Sequence, residues 1–308
     1  TALESFYQLA GLETQKYYLA KGIEETEHTL DRIDQFREKG ISLPDTIDRS
    51  TVVTQLSDLT DQQLKLEYLR IQLNGQLQKL IGCPLNEHNF YWPNVDWTPD
   101  LEPLQVEVEL VDGLSTRSDL RGLELLICNL EKPTLPVARG VLKFADSTLG
   151  TVEPIDGIIH TLRCYKCNRS EVPVRCRQLA IFYEDTEKLA TAEIKSAVYN
   201  VTLQQRRVSL AQETVAELRE NLRKLTGTRD VNDTTVFEIS RLKGQLYEAE
   251  SKLVEQTVAL KIAEVGLRKA QNTLPLECGF VPKLCCEGSC CGACMRCEPN
   301  TCRKCRKK

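Results

Sequence analysis

The stretch ATAEIKSAVYNVTLQQRRVSLAQETVAELRENLRKL, residues 190–225, decides how the rest of the chain is read. Its positions Ala190, Ile194, Ala197, Val201, Gln204, Val208, Ala211, Val215, Leu218, Leu222 and Leu225 fall alternately four and three apart. This is a heptad seam, which holds one narrow apolar stripe along one side of a helix. A strict seven-residue repeat drifts left-handed around an α-helix, so the stripe must be buried against a partner that follows the same supercoil. The partner follows in the chain: Ile239, Leu242, Leu246, Ala249, Leu253, Gln256, Leu260, Ala263, Leu267, Ala270 and Leu274 repeat the spacing. Glu, Lys, Arg and Gln fill most of the other positions, and neither arm contains proline.

Between the arms lies Gly227-Thr228-Arg229-Asp230-Val231-Asn232-Asp233. Gly227 can end one helix in the left-handed conformation, and Asn232 or Asp233 can cap the next. Residues 179–274 are therefore read as a helical hairpin, and at a rise of ~1.5 Å per residue each arm would reach roughly 60 Å. The many Ala residues allow close approach, which predicts that the hairpin packs against more than one neighbour.

A second hairpin opens the chain. Leu9, Leu12, Leu19, Ile23, Leu30 and Ile33 form a seam that ends at Gly40. The interruption Gly40-Ile41-Ser42-Leu43-Pro44-Asp45 follows, with Pro44 disfavouring helix at the residue before it. Another seam runs through Val52, Leu56, Leu59, Leu66, Leu73, Leu77 and Leu80 and stops at Gly82. At an offset of 188 residues Glu25-Thr26 meets Glu213-Thr214, Leu30 meets Leu218 and Asp45-Thr46 meets Asp233-Thr234, which indicates an internal duplication. The first hairpin repeat is 1–82, and the second repeat is 104–274.

A linker of residues 83–103 joins them, with Pro84, Pro93, Pro99 and Pro103 around Phe90, Tyr91, Trp92 and Trp97. These aromatic rings are expected to pin the linker onto the helices. Val106-Glu107-Val108-Glu109-Leu110 alternates as a strand would, and 117–131 is expected to be helical. Residues 132–178, with Pro133, Pro136, Pro154 and Pro173, are read as an irregular insert. Cys164, Cys167 and Cys176 make Cys-x2-Cys-x8-Cys there, a set that His160 could complete as a zinc site but that a local disulfide or unlinked thiols explain more readily.

The tail, 275–308, is rich in cysteine and basic residues. Nine of the fourteen cysteines lie between Cys278 and Cys305. Cys291, Cys294, Cys297, Cys302 and Cys305 contain Cys-x2-Cys steps, a spacing that presents two thiolates to one metal ion and equally suits disulfides. A metal held there would be zinc or copper(I); no other cofactor is implied. Arg303, Lys304, Arg306, Lys307 and Lys308 would favour the thiolate form.

The net charge of −4 gives no support to a nucleic-acid partner. Catalysis is not expected: His28, His88 and His160 are far apart and none belongs to a nucleophile, phosphate-loop or His-x-x-x-His pattern. No uncharged apolar run reaches transmembrane-helix length, and Thr1-Ala2-Leu3-Glu4 opens within a helical pattern, as a portion of a longer precursor would.

Two hairpins with Gly-to-Asp turns, Arg117-Ser118-Asp119-Leu120-Arg121 ahead of the second repeat, and long returns ending at Gly82 and Leu274 resemble the TolC family of outer-membrane efflux proteins. The resemblance covers about 10–132 and 179–275. It implies a mainly α fold of antiparallel coiled-coil hairpins in two repeats, forming an α-barrel on trimerisation. It further implies a homo-trimer in the outer membrane and periplasm of a Gram-negative-type bacterium, working as an efflux conduit with a periplasmic adaptor protein and an inner-membrane pump. Gly40, Asp45, Gly227 and Asp233 would then lie at the adaptor-contact turns. The family's two strand pairs have no counterpart in this sequence, so few or no β-strands are expected. A structural coiled-coil envelope protein with a metal-binding or disulfide-crosslinked tail is the alternative.

Overall fold

The computed structural model describes residues 2–40, 48–82, 91, 93–149, 160–227 and 233–277. All regular structure among them is helical. The helices are α1 (Ala2–Glu38), α2 (Arg49–Ile81), α3 (Val106–Thr116), α4 (Ser118–Cys128), α5 (Leu135–Ala145), α6 (His160–Thr226), α7 (Asp233–Ala270) and the single turn α8 (Leu274–Glu277). A short 3-10 turn, Lys132–Thr134, leads into α5. Contacts divide the chain into two compact units: the chain up to Leu104 with Tyr199–Gly266, and Gln105–Val198 with the chain from Leu267 on.

In the first unit α1 and α2 run antiparallel. Asp34 pairs with Arg49 near the turn, while Glu13 pairs with Arg70 and Lys16 with Glu67 near the other end. Their local signals agree with the ends observed. Gly40 has φ +67°, Asp48 caps α2 by accepting from the Ser50 N–H at 3.0 Å, and Gly82 closes α2 at φ +73°. Its amide donates to the carbonyls of Gln78 and Lys79, so carbonyls left over at the helix end are satisfied.

The other long face of α1 meets α7, also antiparallel. Phe36 and Phe237 have ring centroids 5.8 Å apart, Glu25 accepts from Ser240 at 2.8 Å and pairs with Lys243 at 3.2 Å, and Gly11 lies against Val258. A Cβ on Gly11 would come within 2.3 Å of Val258 Cγ2, so the two helices approach this closely only because that side chain is absent. Within this unit α6 joins α7 through Arg219 and Glu250 at 2.6 Å. The seam loosens where Gly22 and Gly244 leave a cavity of about 230 Å³ between α1, α2 and α7, walled by Tyr18, Gln55, Gln62, Tyr247 and Ser251 among others.

The linker has no regular secondary structure from Pro93 to Leu104. Tyr91, Pro93, Val95, Trp97 and Pro99 are half-buried, whereas Asn94, Asp96, Thr98 and Asp100 are exposed. Asn74 receives the Tyr91 N–H at 3.0 Å, and Gln205 on α6 donates to the carbonyls of Asp100 and Glu102.

The second unit has its own core of Leu123, Leu130, Leu135, Ala138, Leu142 and Leu179, joined by Leu126, Val141, Val172, Cys176 and Phe182. It overturns two expectations. Val106–Leu110 is the start of helix α3, not a strand, because Val106, Leu110 and Gly113 also fit a 4-3 spacing and Glu107 and Glu109 favour a helix N-terminus. Gly113 then packs against Ile194 and Gln271. The expected irregular insert 132–178 contains α5 and the first 19 residues of α6, His160 to Gln178. Pro133 and Pro136 sit in first turns, where the missing amide costs nothing, and Pro173 is carried inside α6. An interior proline costs about 3 kcal/mol, and burial of Val172, Cys176 and Leu179 around it supplies an offset of that order. The helix expected at 117–131 is α4, ending at Cys128.

Candidate functional site

The two hairpin turns are the sequence's candidate contact site, and both belong to the first unit. Phe36 lies four residues before Gly40 and Phe237 four after Asp233, so their ring contact brings the flanks of the two turns together. This pair went unnoticed in the sequence, although its equal distance from each turn is a visible signal. Gly40 is exposed and its amide donates to the Arg37 carbonyl at 3.1 Å. Arg49 donates to both carboxylate oxygens of Asp34, at 2.8 and 3.0 Å, which clips the helices together beside that turn. The bond from Arg49 holds the Asp34 carboxyl below its ordinary range, and bonds from Ser50 do the same for Asp48.

At the second turn Gly227 is exposed and its amide donates to the Arg223 carbonyl at 3.1 Å. It does so without entering the left-handed region expected of it; the Arg223 oxygen lies 3.3 Å from where a Cβ would stand. Helix α7 starts at Asp233. Asp45 and the side chain of Asp233 lie outside the described residues, as do Cys291, Cys294, Cys297, Cys302 and Cys305, and the side chains of His160, Cys164 and Cys167. Cys176 is a half-buried free thiol packed as a hydrophobe in the second unit's core, and Cys128 is free and exposed. Among the described residues no cluster of His, Cys, Asp and Glu could hold a metal ion.

A second feature is apolar exposure at regular spacing. On α2, Leu64, Tyr68 and Ile71 are exposed at 66%, 63% and 56%, four and three residues apart. On α6, Leu189, Leu203 and Leu210 are exposed and fall on one seven-residue repeat, with Tyr199 beside them. These stripes lie opposite the buried seams of the same helices and were not separated from them in the sequence.

The Arg117 motif is a structural joint of the second unit. Arg117 is the single extended residue between α3 and α4, and it donates to Asp119 and Glu193, each at 2.7 Å, and to the Ala270 carbonyl at 3.0 Å. These carboxylates raise its pKa, and Arg117 in turn lowers that of Asp119. Around it Thr116 donates to the Gln271 carbonyl at 2.7 Å, Gln271 to the Glu109 carboxylate at 2.6 Å, and Asn272 to Ser118 at 2.7 Å. The bonds to Ala270, Gln271 and Asn272 hold α3 and α4 to the end of α7, and the bond to Glu193 ties the joint to α6.

No helix among the described residues is long and apolar enough to cross a membrane. No family model and no curated protein matches the sequence. Solved structures match the fold. The channel CusC is 15% identical with a TM-score of 0.57, over 88% of this chain and 75% of its own. The outer membrane protein VceC of Vibrio cholerae is 13% identical with a TM-score of 0.58, over 88% and 68%. The CmeC outer membrane channel of Campylobacter jejuni is 11% identical with a TM-score of 0.58, over 88% and 61%. The duplicated antiparallel hairpins of this chain are therefore the helical-hairpin fold of the TolC-type outer-membrane channels.

Proposed function

We propose that the chain is a subunit of an outer-membrane-efflux-type channel, a passive conduit for export of small molecules across the envelope of a Gram-negative-type bacterium in a tripartite pump. The observation that carries this reading is the pair of exposed apolar stripes on α2 and α6. In the first unit α1 packs on both α2 and α7, and α6 on α7, so α2 and α6 flank the group. Apolar stripes at spacings of four and three are surfaces that water disfavours and a partner helix fits. Docking the α2 edge of one copy on the α6 edge of the next is a head-to-tail contact, which closes into a ring when the rotation from copy to copy is a whole fraction of a turn. Three copies would enclose a water-filled duct, with the turns at Gly40–Asp45 and Gly227–Asp233 meeting a periplasmic adaptor. The reading assigns no catalysis: transport follows from pore geometry, and choice of substrate belongs to the inner-membrane pump.

A second reading, a structural coiled-coil envelope protein whose Cys-rich tail binds metal or crosslinks neighbours, is favoured by one observation. Helices α5 and α6 occupy 135–145 and 160–178, where the resembled family places its second strand pair. Light scattering on the purified chain under reducing conditions, with metal content measured on the same sample, separates the two. A stable trimer with little metal is expected. A monomer or dimer with stoichiometric metal would overturn the conduit and make the tail the functional centre.

A further inference from the structure

We propose that the outward face of α5 rests on an anionic lipid surface. The inference stands apart from the conduit reading, because it uses only the second unit. Leu135, Ala138 and Leu142 on the inner face are 0–2% exposed and form the centre of that unit's core. The opposite face is also apolar. Val137, Gly140 and Phe144 are spaced three and four apart, which places them on one side of a helix, and Val137 and Phe144 are 57% and 93% exposed.

Only Arg139 and Lys143 interrupt the apolar surface of this helix, and they fall one turn apart between the two faces. A helix apolar on nearly every side belongs in an enclosed environment. Here the protein covers one face and leaves the other outward. Arg139 is held by Glu171, whereas Lys143 is exposed beside Phe144, and α5 contains no acidic residue. Asp146, just past its end, accepts from the Thr148 amide and hydroxyl within its own turn.

That charge pattern selects the partner. Two copies meeting through this face would bring cations together with no carboxylate on either helix to answer them. A lipid surface carrying phosphate headgroups offers apolar depth for Val137 and Phe144 and negative charge for Lys143. At eleven residues α5 is about 16 Å long, too short to span a bilayer, so the helix lies along the interface.

The test is flotation of the full chain with vesicles of phosphatidylcholine alone or mixed with phosphatidylglycerol. The wild type is expected to float with the anionic vesicles. The double variant Val137→Ser, Phe144→Ser should lose about tenfold or more of that partitioning, since both side chains leave the apolar phase. Lys143→Glu should lose about fivefold on anionic vesicles and little on neutral ones. Since these side chains are exposed, the far-UV circular dichroism and thermal midpoint of each variant should match the wild type. Failure of the wild type to float with anionic vesicles, or flotation of the double variant at the wild-type level, would overturn the proposal. So would a change in molar mass of the double variant with flotation unchanged, which would name a second copy as the occupant.

Discussion

Along α1 and α2 burial is thin and spread out, whereas α4, α5 and the start of α6 gather it into one place. In the first region the buried positions include Ser5, Ala10, Gly11, Gly22 and Thr26, and ion pairs recur between the helices: Glu13 with Arg70, Lys16 with Glu67, Asp34 with Arg49. In the second, four leucines and an alanine are 0–7% exposed within two short helices and one turn of a third, and one carboxylate, Glu171, takes two arginines. A long seam gives each residue a single narrow contact, so many weak ties fix its register. A compact core encloses each side chain on all sides, so single residues weigh more.

The largest effect should come from the compact core. Leu142→Ala removes a fully buried side chain and is expected to cost about 2–5 kcal/mol in urea unfolding followed by circular dichroism. An equal loss from an exposed leucine such as Leu64 would break the contrast. The seam's tightest point comes next: Gly11→Leu must push Val258 aside, for an expected loss of about 1–3 kcal/mol by the same measurement.

Glu171 sharpens the comparison through pH. Hydrogen bonds from Arg139, and then from Arg175, lower its pKa from 4.5 to about 2. A carboxyl depressed on folding stabilises the native state above its unfolded pKa and loses that contribution as pH falls toward its folded value. Stability of the wild type should therefore fall between about pH 4.5 and 2 more steeply than that of Glu171→Gln, which at neutral pH should already be weaker by about 1–2 kcal/mol. Parallel pH curves for the two proteins would remove Glu171 from the account. On α2 Gly75 has no atom within 4 Å of an added Cβ, and Gly75→Ala should stabilise the helix by about 0.5–1 kcal/mol. The smallest change belongs to the exposed pair of Asp61 with Lys65, where Asp61→Asn should move stability by no more than about 0.5 kcal/mol.

The seam of α6 shows how much could be read beforehand. Ala190, Ile194, Val201, Gln204, Val208 and Val215 are all buried as the spacing requires, but Val198 takes the place assigned to Ala197. A helix of 3.6 residues per turn drifts by about 20° per heptad against a strict 3.5 repeat, and Val198 lies on the side toward which that drift runs. The helix ends at Gly40 and Gly82 were legible because capping is a local matter of φ and backbone hydrogen bonds. Helix α5 was not, since Pro133 and Pro136 read equally as breakers and as first-turn residues until Leu142 finds Leu123 and Leu179 across the core. Helix α1 ends at Glu38 and α6 at Thr226, beside the glycines that the sequence marks, yet the meeting of their flanks through Phe36 and Phe237 depends on two residues 201 positions apart.

By itself the sequence determined that the chain forms long antiparallel helical pairs, where most of them stop, and that they come in two copies. These follow from periodicity, glycine and caps, which act over a few residues. Tertiary structure decided which stripe of each helix is inside. On α6 the set Ala190, Ile194, Val201 and Val208 and the set Leu189, Leu203 and Leu210 both keep a heptad spacing, yet the first is buried and the second lies in solvent. A repeat fixes the angle of a residue around its helix axis, and only the packed neighbours determine which angle is covered.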